Sequence, residues 1–230
     1  MSAQLTRQHF LRLLLGLGFA MPASALWLGR DARAAIVAVG SVTKVKGTAS
    51  LLRDGQQTIL QGGEDIAAGD VVTTLADSRL RLALKDGSQL NLGELTKVTV
   101  AQFDFAEETL SREAAFDLTS GLLEAITAKA ATGSSFVIRT SNAVAATRAT
   151  EWIVEAKKAE TSVYVLEGKV DVAASALGFR SLPSIDQDKA MLLSAGQTTT
   201  IGKISLGPTA GPKTSDAKKL AALKAGLALE

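Results

Sequence analysis

The segment from residue 136 to residue 172 constrains the fold of this chain more than any other, because its residues alternate as those of strands do. Its two flanks are rich in Val, Ile, Thr and aromatic residues, which are enriched in strands. The alternation places Trp152, Val154 and Ala156 on one face of a strand. The polar run 157–160 predicts a hairpin loop, and a later Glu-Gly pair predicts a turn. The segment therefore predicts strand, tight loop, strand, turn and strand.

Earlier residues show the same pattern of short strands separated by turns. Run 79–85 alternates strictly, so we expect Leu80, Leu82 and Leu84 to point inward and the cations between them to point outward. Aromatic residues make up only 4% of the chain although 47% is hydrophobic, so the core must consist mainly of Ala, Val, Leu and Ile. Turn pairs recur at Asp54-Gly55, Gly69-Asp70 and Asp86-Gly87. These features predict an all-β fold.

Three glycines, Gly47, Gly121 and Gly168, each precede a new strand pattern after a bend. Such weak repetition favours a solenoid-like β-roll or a two-sheet sandwich of short strands. A β-meander that reuses glycine turns explains the same repetition, so both interpretations stay open. The segment 103–116 mixes helix-like and strand-like features, and we expect an exposed charged hairpin there.

The C-terminal part predicts a linker followed by a short helix. Gly and Pro are concentrated in residues 207–212, and Ser215 can cap the helix that follows. Three leucines fall on one face of that helix, and Lys218 and Lys219 are expected to point away from it. The helix can pack on its own domain or dock onto a partner. The leucines are Leu220, Leu223 and Leu227.

Residues 1–34 have the composition of a secretory signal. Two arginines precede an uncharged apolar run of about 17 residues, which is shorter than the ~20 that a membrane span prefers. Small-residue cleavage sites lie before Ala35 and, as a second candidate, before Leu26. The signal helix is therefore expected to leave, with no stable membrane anchor remaining and a periplasmic or secreted product. Residues 6–12 are similar to a twin-arginine export signal with Gln8 in place of the second arginine, so Sec export stays an alternative.

Charge and rare residues exclude several functions. Cleavage after Ala34 leaves 21 basic and 22 acidic residues, a net charge of −1, which gives no electrostatic surface for nucleic acid. The only histidine, His9, leaves with the signal, and cysteine is absent. We therefore expect no thiol chemistry, no disulfides, no metal site and no cofactor.

Two kinds of catalytic pattern occur and are expected to be coincidental. Ser41 and Ser215 each stand three residues before a lysine, but neither has the accompanying motifs of penicillin-recognising enzymes. Pairs of carboxylates could serve a glycosidase, yet the aromatic residues of a sugar cleft are lacking. We therefore expect no enzyme. The carboxylates considered are Asp104, Glu124, Glu151, Glu167 and Asp171.

Part of the chain resembles FecR-type periplasmic domains. Their signature runs as an apolar segment, Arg-Gly-Thr, an aromatic residue, alternating apolar residues and Glu-Gly-x-Val. Here Arg148-Ala149-Thr150 stands at Arg-Gly-Thr, Trp152 is the aromatic residue, and Glu167-Gly168 opens the last motif. The resemblance extends over roughly residues 40 to 200. Its other pieces are Gly69-Asp70, Asp77-Ser78, Asp86-Gly87-Ser88, Gly121-Leu-Leu and Ala195-Gly196-Gln197.

The resemblance implies a non-catalytic periplasmic sensor or binding module, with a signal peptide at 1–34, a FecR-like β domain at 35–206 and a linker with a helix at 207–230. Similar iron-citrate regulators add a cytoplasmic segment that controls a sigma factor. Only about 12 residues precede the apolar run here, so we expect the domain and not that circuit to carry over.

An envelope protein or a glycan is the expected partner, and Arg148, Glu151 and Trp152 are the candidate contacts. An alternative interpretation is a structural or adhesive envelope module that binds glycan or another surface protein. For Trp152, the strand pattern also predicts burial in the core.

Overall fold

The computed structural model describes residues 36–147, 149–175, 190–202 and 212–229, and every structural statement below concerns these residues. The predicted signal peptide, Arg148 and the predicted Gly-Pro linker up to residue 211 lie outside them.

Seventeen strands and one helix make up the described chain, so the predicted all-β fold with a short C-terminal helix is confirmed. The elements are β1 (Ala38–Lys46), β2 (Ala49–Arg53), β3 (Gln56–Leu60), β4 (Asp65–Ala67), β5 (Val71–Thr74), β6 (Arg79–Leu84), β7 (Gln89–Leu92), β8 (Lys97–Ala106), β9 (Ser111–Ile126), β10 (Ser135–Arg139), β11 (Ala143–Thr147), β12 (Glu151–Ala156), β13 (Glu160–Glu167), β14 (Lys169–Ala174), β15 (Met191–Ser194), β16 (Gln197–Gly202), β17 (Lys213–Thr214) and α1 (Ala217–Leu227).

The strands form two open layers that share β9. Sheet A has the order β4, β1, β6, β7, second half of β9, β12, β13, β16 and β17. Sheet B has the order β3, β2, β5, β8, first half of β9, β10, β11, β14 and β15. The β9–β10 pair is parallel, and the other described pairs are antiparallel. This arrangement corresponds to the two-sheet interpretation.

The core lies between the two layers and draws on both. Leu80, Leu82 and Leu84 point into it from sheet A, as the alternation of run 79–85 predicted. Phe116 and Phe136 enter from sheet B, with ring centroids 5.1 Å apart. Most other core side chains are aliphatic, which agrees with the low aromatic content of the chain.

Three glycines mark places where the chain passes from one layer to the other. Gly47 (φ 77°) joins β1 to β2, Gly168 (φ 82°) joins β13 to β14, and Gly121 (φ 97°) bends β9 in its middle. A Cβ at Gly121 would lie 2.4 Å from the Cα of Thr96, so no larger residue fits without backbone movement. The predicted bends at these three glycines are therefore confirmed, and we call them the corner glycines.

Buried hydroxyl groups satisfy the backbone beside each corner glycine. In each case the residue after the glycine hydrogen-bonds to a serine or threonine of the neighbouring connection. Buried backbone groups need such partners, because an unpaired one costs about 1–3 kcal/mol. The bonds join Thr48 N to Ser78 Oγ (2.8 Å), Leu122 N to Thr96 Oγ1 (3.0 Å) and Thr150 Oγ1 to Lys169 O (3.1 Å).

The segment 103–116 forms the predicted hairpin. Ala106 pairs with Ser111 at the end of the β8–β9 ladder, and residues 107–110 form an exposed turn. At the base of this hairpin, Arg112 is fully buried and its Nη1 lies 2.5 Å from Asp86 Oδ2. The guanidinium also lies 5.1 Å from the ring centroid of Phe136. This buried pair connects the hairpin to the Asp-Gly turn between β6 and β7.

The helix differs from the prediction in two respects. Asp216, not Ser215, is the N-cap, and its carboxylate accepts hydrogen bonds from the amides of Lys218 (2.8 Å) and Lys219 (3.5 Å). Lys219 also does not point away from the domain, because its ammonium lies over a tyrosine ring of sheet A. The expected apolar face, with Leu227 at its end, is confirmed.

Candidate functional site

The outer face of sheet A carries the most distinctive surface chemistry among the described residues. Alternation along β12 turns Glu151, Ile153 and Glu155 outward while Trp152 and Val154 point into the core.

The neighbouring strands continue this face with apolar side chains. Tyr164 of β13 lies opposite Ile153, and Leu122 and Leu166 lie beside them. We call this surface, formed by Leu122, Glu151, Ile153, Glu155, Tyr164 and Leu166, the α1 face.

Helix α1 lies across this face and covers its apolar centre. Leu227 is buried together with Ile153 and Tyr164, and Leu220 and Leu223 pack at the edge of the same cluster. Because of this cover, Ile153 is 0% and Tyr164 is 3% exposed although both point away from the core.

Two lysines of α1 meet the two carboxylates of the α1 face. Lys224 Nζ lies 3.2 Å from Glu151 Oε1, and Lys219 Nζ lies 3.6 Å from Glu155 Oε2. The Lys219 ammonium also lies 5.2 Å from the ring centroid of Tyr164, at a distance typical of cation–π attraction. The charges of helix and sheet are therefore complementary.

The environment of Lys219 favours its charged form. Hydrogen bonding with Tyr164 is the largest cause and Glu155 adds to it, and together they outweigh burial and raise the pKa of the Lys219 amine. Because folding raises this pKa, the contact stabilises the folded protein at every pH below the pKa of the unfolded chain, about 10. The stabilisation is lost as the pH rises through the pKa of the folded protein. At neutral pH the Lys219 amine is therefore charged.

Cations of sheet A receive the C-terminal end of α1. Arg79 Nε donates a hydrogen bond to the carbonyl of Gly226 (2.7 Å), and Lys44 Nζ donates one to the carbonyl of Leu229. The last carbonyls of a helix have no partners within it and carry partial negative charge, so cations there are stabilising. These contacts fix the direction in which the helix crosses the sheet.

The structure places two of the three candidate contacts, Glu151 and Trp152, on opposite faces of β12. Arg148 lies outside the described residues. Glu151 lies on the surface at the edge of α1, facing Glu167 across the β12–β13 pair. Trp152 is 0% exposed, as the strand pattern predicted, and its Nε1 has no hydrogen-bond partner among the described residues.

Sequence reasoning missed Ile153, Glu155 and Tyr164 as parts of a helix-binding face. Their signal was present, since Ile153 is apolar at an outward strand position and the chain has a single tyrosine. The sequence does not predict where α1 packs, because its position depends on long-range contacts with β12 and β13.

A cavity lies at the end of the sandwich where β1 begins. The cavity, of about 490 Å³, lies between the start of β1 and the β8–β9 hairpin. Phe103 and Phe105 line it together with Val39, and Lys85 and Glu113 lie on its charged rim. This mixture is compatible with many ligands and selects none.

In the parts of the chain that the structure describes, no group of acidic or histidine side chains is placed to hold a metal ion. The one described helix is neither long nor apolar enough to cross a membrane.

Comparison with solved structures gives two similar folds, both described as "a putative anti-sigma factor" from Parabacteroides distasonis. One has 18% identity and a TM-score of 0.49, with coverage of 66% of this chain and 63% of that chain. The other has 19% identity and a TM-score of 0.48, with coverage of 66% and 62%. This chain thus spans less than two thirds of the length of either structure. No curated protein matches it.

A protein-family model also matches part of the chain. The model described as FecR protein matches residues 70–171, from the turn before β5 to the middle of β14. The match includes both layers, two of the three corner glycines and the segment from Arg148 to Gly168 on which the resemblance was noted. The resemblance to FecR domains is therefore confirmed for residues 70–171.

Proposed function

We propose that this chain is a non-catalytic FecR-like module, exported to the periplasm, that senses or binds a partner in envelope signalling. The observation that carries the proposal is the FecR match over residues 70–171, since FecR proteins are regulators of signalling that act with partner proteins.

The corner between β11 and β12 supplies the proposed partner contacts. Glu151 of β12 is paired with Glu167 of β13 at a shift in the register of the two strands, and like charges in paired positions are destabilising. A cationic group of a partner would relieve this repulsion beside Lys224, which already contacts Glu151. Glu151 and Arg148 are the proposed contacts, and Trp152 supports the corner from the core.

Export is tested by fusing alkaline phosphatase, which is active only after export, to the C-terminus of the chain. We expect phosphatase activity and a processed protein that begins at Ala35, or at Leu26 if the second site is used. A matched fusion without residues 1–34 should be inactive. An inactive full-length fusion, or an intact N-terminus, would contradict the proposed location.

The regulatory role is tested by comparing transcripts of the wild type, a deletion strain and two point variants. Glu167→Lys reverses the charge of the residue that is paired with Glu151, one of the proposed contacts, and Glu107→Lys makes the same change at the exposed hairpin turn as a control. We expect the deletion to change a defined set of transcripts and Glu167→Lys to reproduce part of that change, while Glu107→Lys does not. If the deletion leaves all transcripts unchanged, the role in signalling is wrong.

One observation favours the alternative of a structural or adhesive module. Strand β3 forms an edge of sheet B, carries no charge, and exposes Ile59, while Leu52 of the adjacent β2 is also exposed. An uncharged exposed edge can accept a strand of another protein. Glycan or surface-protein binding without any transcript change in the deletion strain would favour this second function, and Ile59→Lys should then weaken the binding.

A further inference from the structure

We propose that the α1 face is an interaction surface for a basic amphipathic helix of a partner protein, and that α1 occupies this surface until the partner replaces it. The inference rests on the proposed regulatory function and deepens it, because it gives the chemical character of the partner.

The α1 face has the three features that a helix-binding surface needs. Its apolar centre, Ile153 with Tyr164, accepts a leucine stripe, and carboxylates of Glu151 and Glu155 lie beside that centre. Cations at one end, Arg79 among them, bind the last carbonyls of the helix. A helix in a groove is recognised in this way, through apolar anchors at helical spacing and charges at the rim.

The present occupant shows which sequence fits. In α1, lysines at 219 and 224 meet the carboxylates, and leucines at 220, 223 and 227 meet the apolar centre. A partner helix would therefore carry leucines or similar residues at i, i+3 and i+7, with a lysine or arginine beside the first and second of them. Its C-terminal end would lie toward Arg79 and Lys44.

The contacts between α1 and the α1 face are weak enough for a partner helix to replace α1. Of its eleven residues only Leu227 is buried. The side chains of Lys219 and Lys224 are 48% and 51% exposed, and ion pairs of that kind contribute about 0–1 kcal/mol. The strand that leads into the helix, β17, has only two residues. Elements with so few buried contacts open at the lowest free-energy cost in a protein.

The core does not depend on the helix. Trp152 and Val154 belong to the main cluster between the layers, whereas the leucines of α1 belong to a separate cluster on the outer face. Release of α1 therefore uncovers the α1 face without opening the sandwich.

The test uses the full chain and a labelled peptide with the sequence of residues 212–229 as the probe. A released variant carries Leu223→Glu and Leu227→Glu, which place charges in the apolar contact. A matched control carries Ala221→Glu and Ala222→Glu, on the exposed side of the same helix. Fluorescence anisotropy should show saturable binding to the released variant, at least ten-fold tighter than binding to the control or the wild type. Equal binding to all three proteins overturns the proposal, as does no binding to a released variant whose far-UV spectrum shows an intact β fold.

A charge swap tests whether the carboxylates select the helix. Glu155→Lys in the released variant should weaken binding of the peptide several-fold. A peptide with Lys219→Glu should recover most of the lost affinity. A Lys218→Glu peptide is the control, because Lys218 lies on the exposed side of α1. Rescue by the control peptide but not by Lys219→Glu contradicts charge recognition and overturns the proposal.

Two further outcomes are distinguishable. If the wild-type chain forms stable dimers by exchanging α1, the occupant is a second copy, and the proposed partner helix is wrong. Failure of the peptide to bind leaves the regulatory role itself standing, since that role is decided by the transcripts of the deletion strain.

Discussion

The indole of Trp152 fills the space between the two layers, with Val165 opposite it in β13. We expect Trp152→Ala to lower the free energy of unfolding by about 3–5 kcal/mol, because a large buried side chain leaves a cavity. Trp152→Phe should cost less than Trp152→Ala, since it leaves a smaller cavity and the indole nitrogen has no partner to lose among the described residues. Chemical denaturation measures both values.

Fluorescence provides an independent check on Trp152, since Trp27 leaves with the predicted signal and Trp152 is then the only tryptophan. Its emission should be blue-shifted and resistant to iodide. Red-shifted, quenchable emission together with an alanine variant of unchanged stability would identify Trp152 as a binding residue instead.

Arg112 and Asp86 form an ion pair in which both side chains are at most 1% exposed. We expect Asp86→Ala to destabilise the protein by about 3–5 kcal/mol, because it breaks a buried ion pair by removing the Asp86 carboxylate. Glu160→Ala removes a carboxylate from an exposed pair with Lys157 and should cost less than about 1 kcal/mol. Similar losses in both variants, measured by thermal unfolding, would contradict this account.

At the scale of elements, the corner glycines differ from the turn glycines in what surrounds them. Gly121→Ala forces a side chain into a positive φ and against the Thr96 backbone, whereas Gly196→Ala has a similar φ of 79° but open space. Gly196→Ala serves as the control and should lower the free energy of unfolding by about 1 kcal/mol. Gly121→Ala should lower it by about 1–3 kcal/mol more, since overpacking adds to backbone strain. Equal melting temperatures for the two variants would show that the β9 bend tolerates a side chain.

The two-layer β fold should form without helix α1, but it should then be less stable. Deleting residues 212–230 removes the cover of Ile153 and Tyr164, so we expect a folded β domain that melts several degrees lower and binds an apolar dye more strongly. The strand signal in the far-UV spectrum should persist, because no residue of α1 belongs to the main core cluster. Complete loss of the cooperative transition would show that α1 is required for folding.

Local sequence patterns predicted the strands and bends well, but they did not predict how the helix packs against the sheet. The alternation of Leu80, Leu82 and Leu84 and the bend at Gly168 follow from residues close in sequence, and the structure has both. The N-cap was placed one residue too early, at Ser215, because serine and aspartate cap helices about equally well. The inward position of Lys219 could not be predicted, since it depends on Tyr164 of a distant strand.

Across the whole molecule, the FecR match is smaller than the folded unit. Residues 70–171 include β5 to the middle of β14, yet β6 pairs with β1 in sheet A and β5 pairs with β2 in sheet B, and both β1 and β2 lie outside the match. The match therefore ends inside two sheets, and each would lose a neighbouring strand if the matched segment were expressed alone.

This arrangement predicts that the fragment 70–171 does not fold, whereas residues 37–229 do. On its N-terminal side alone, the fragment lacks five Val, Leu and Ile side chains that are at most 6% exposed, and each contributes about 1.5–3 kcal/mol when fully buried. Together they approach the whole free energy of unfolding of a typical domain, about 5–15 kcal/mol. The far-UV spectrum and the thermal transition of the two proteins provide the comparison, and a cooperative transition in the fragment would show that the matched segment folds independently. The five side chains are Val39, Val42, Leu51, Leu60 and Ile66.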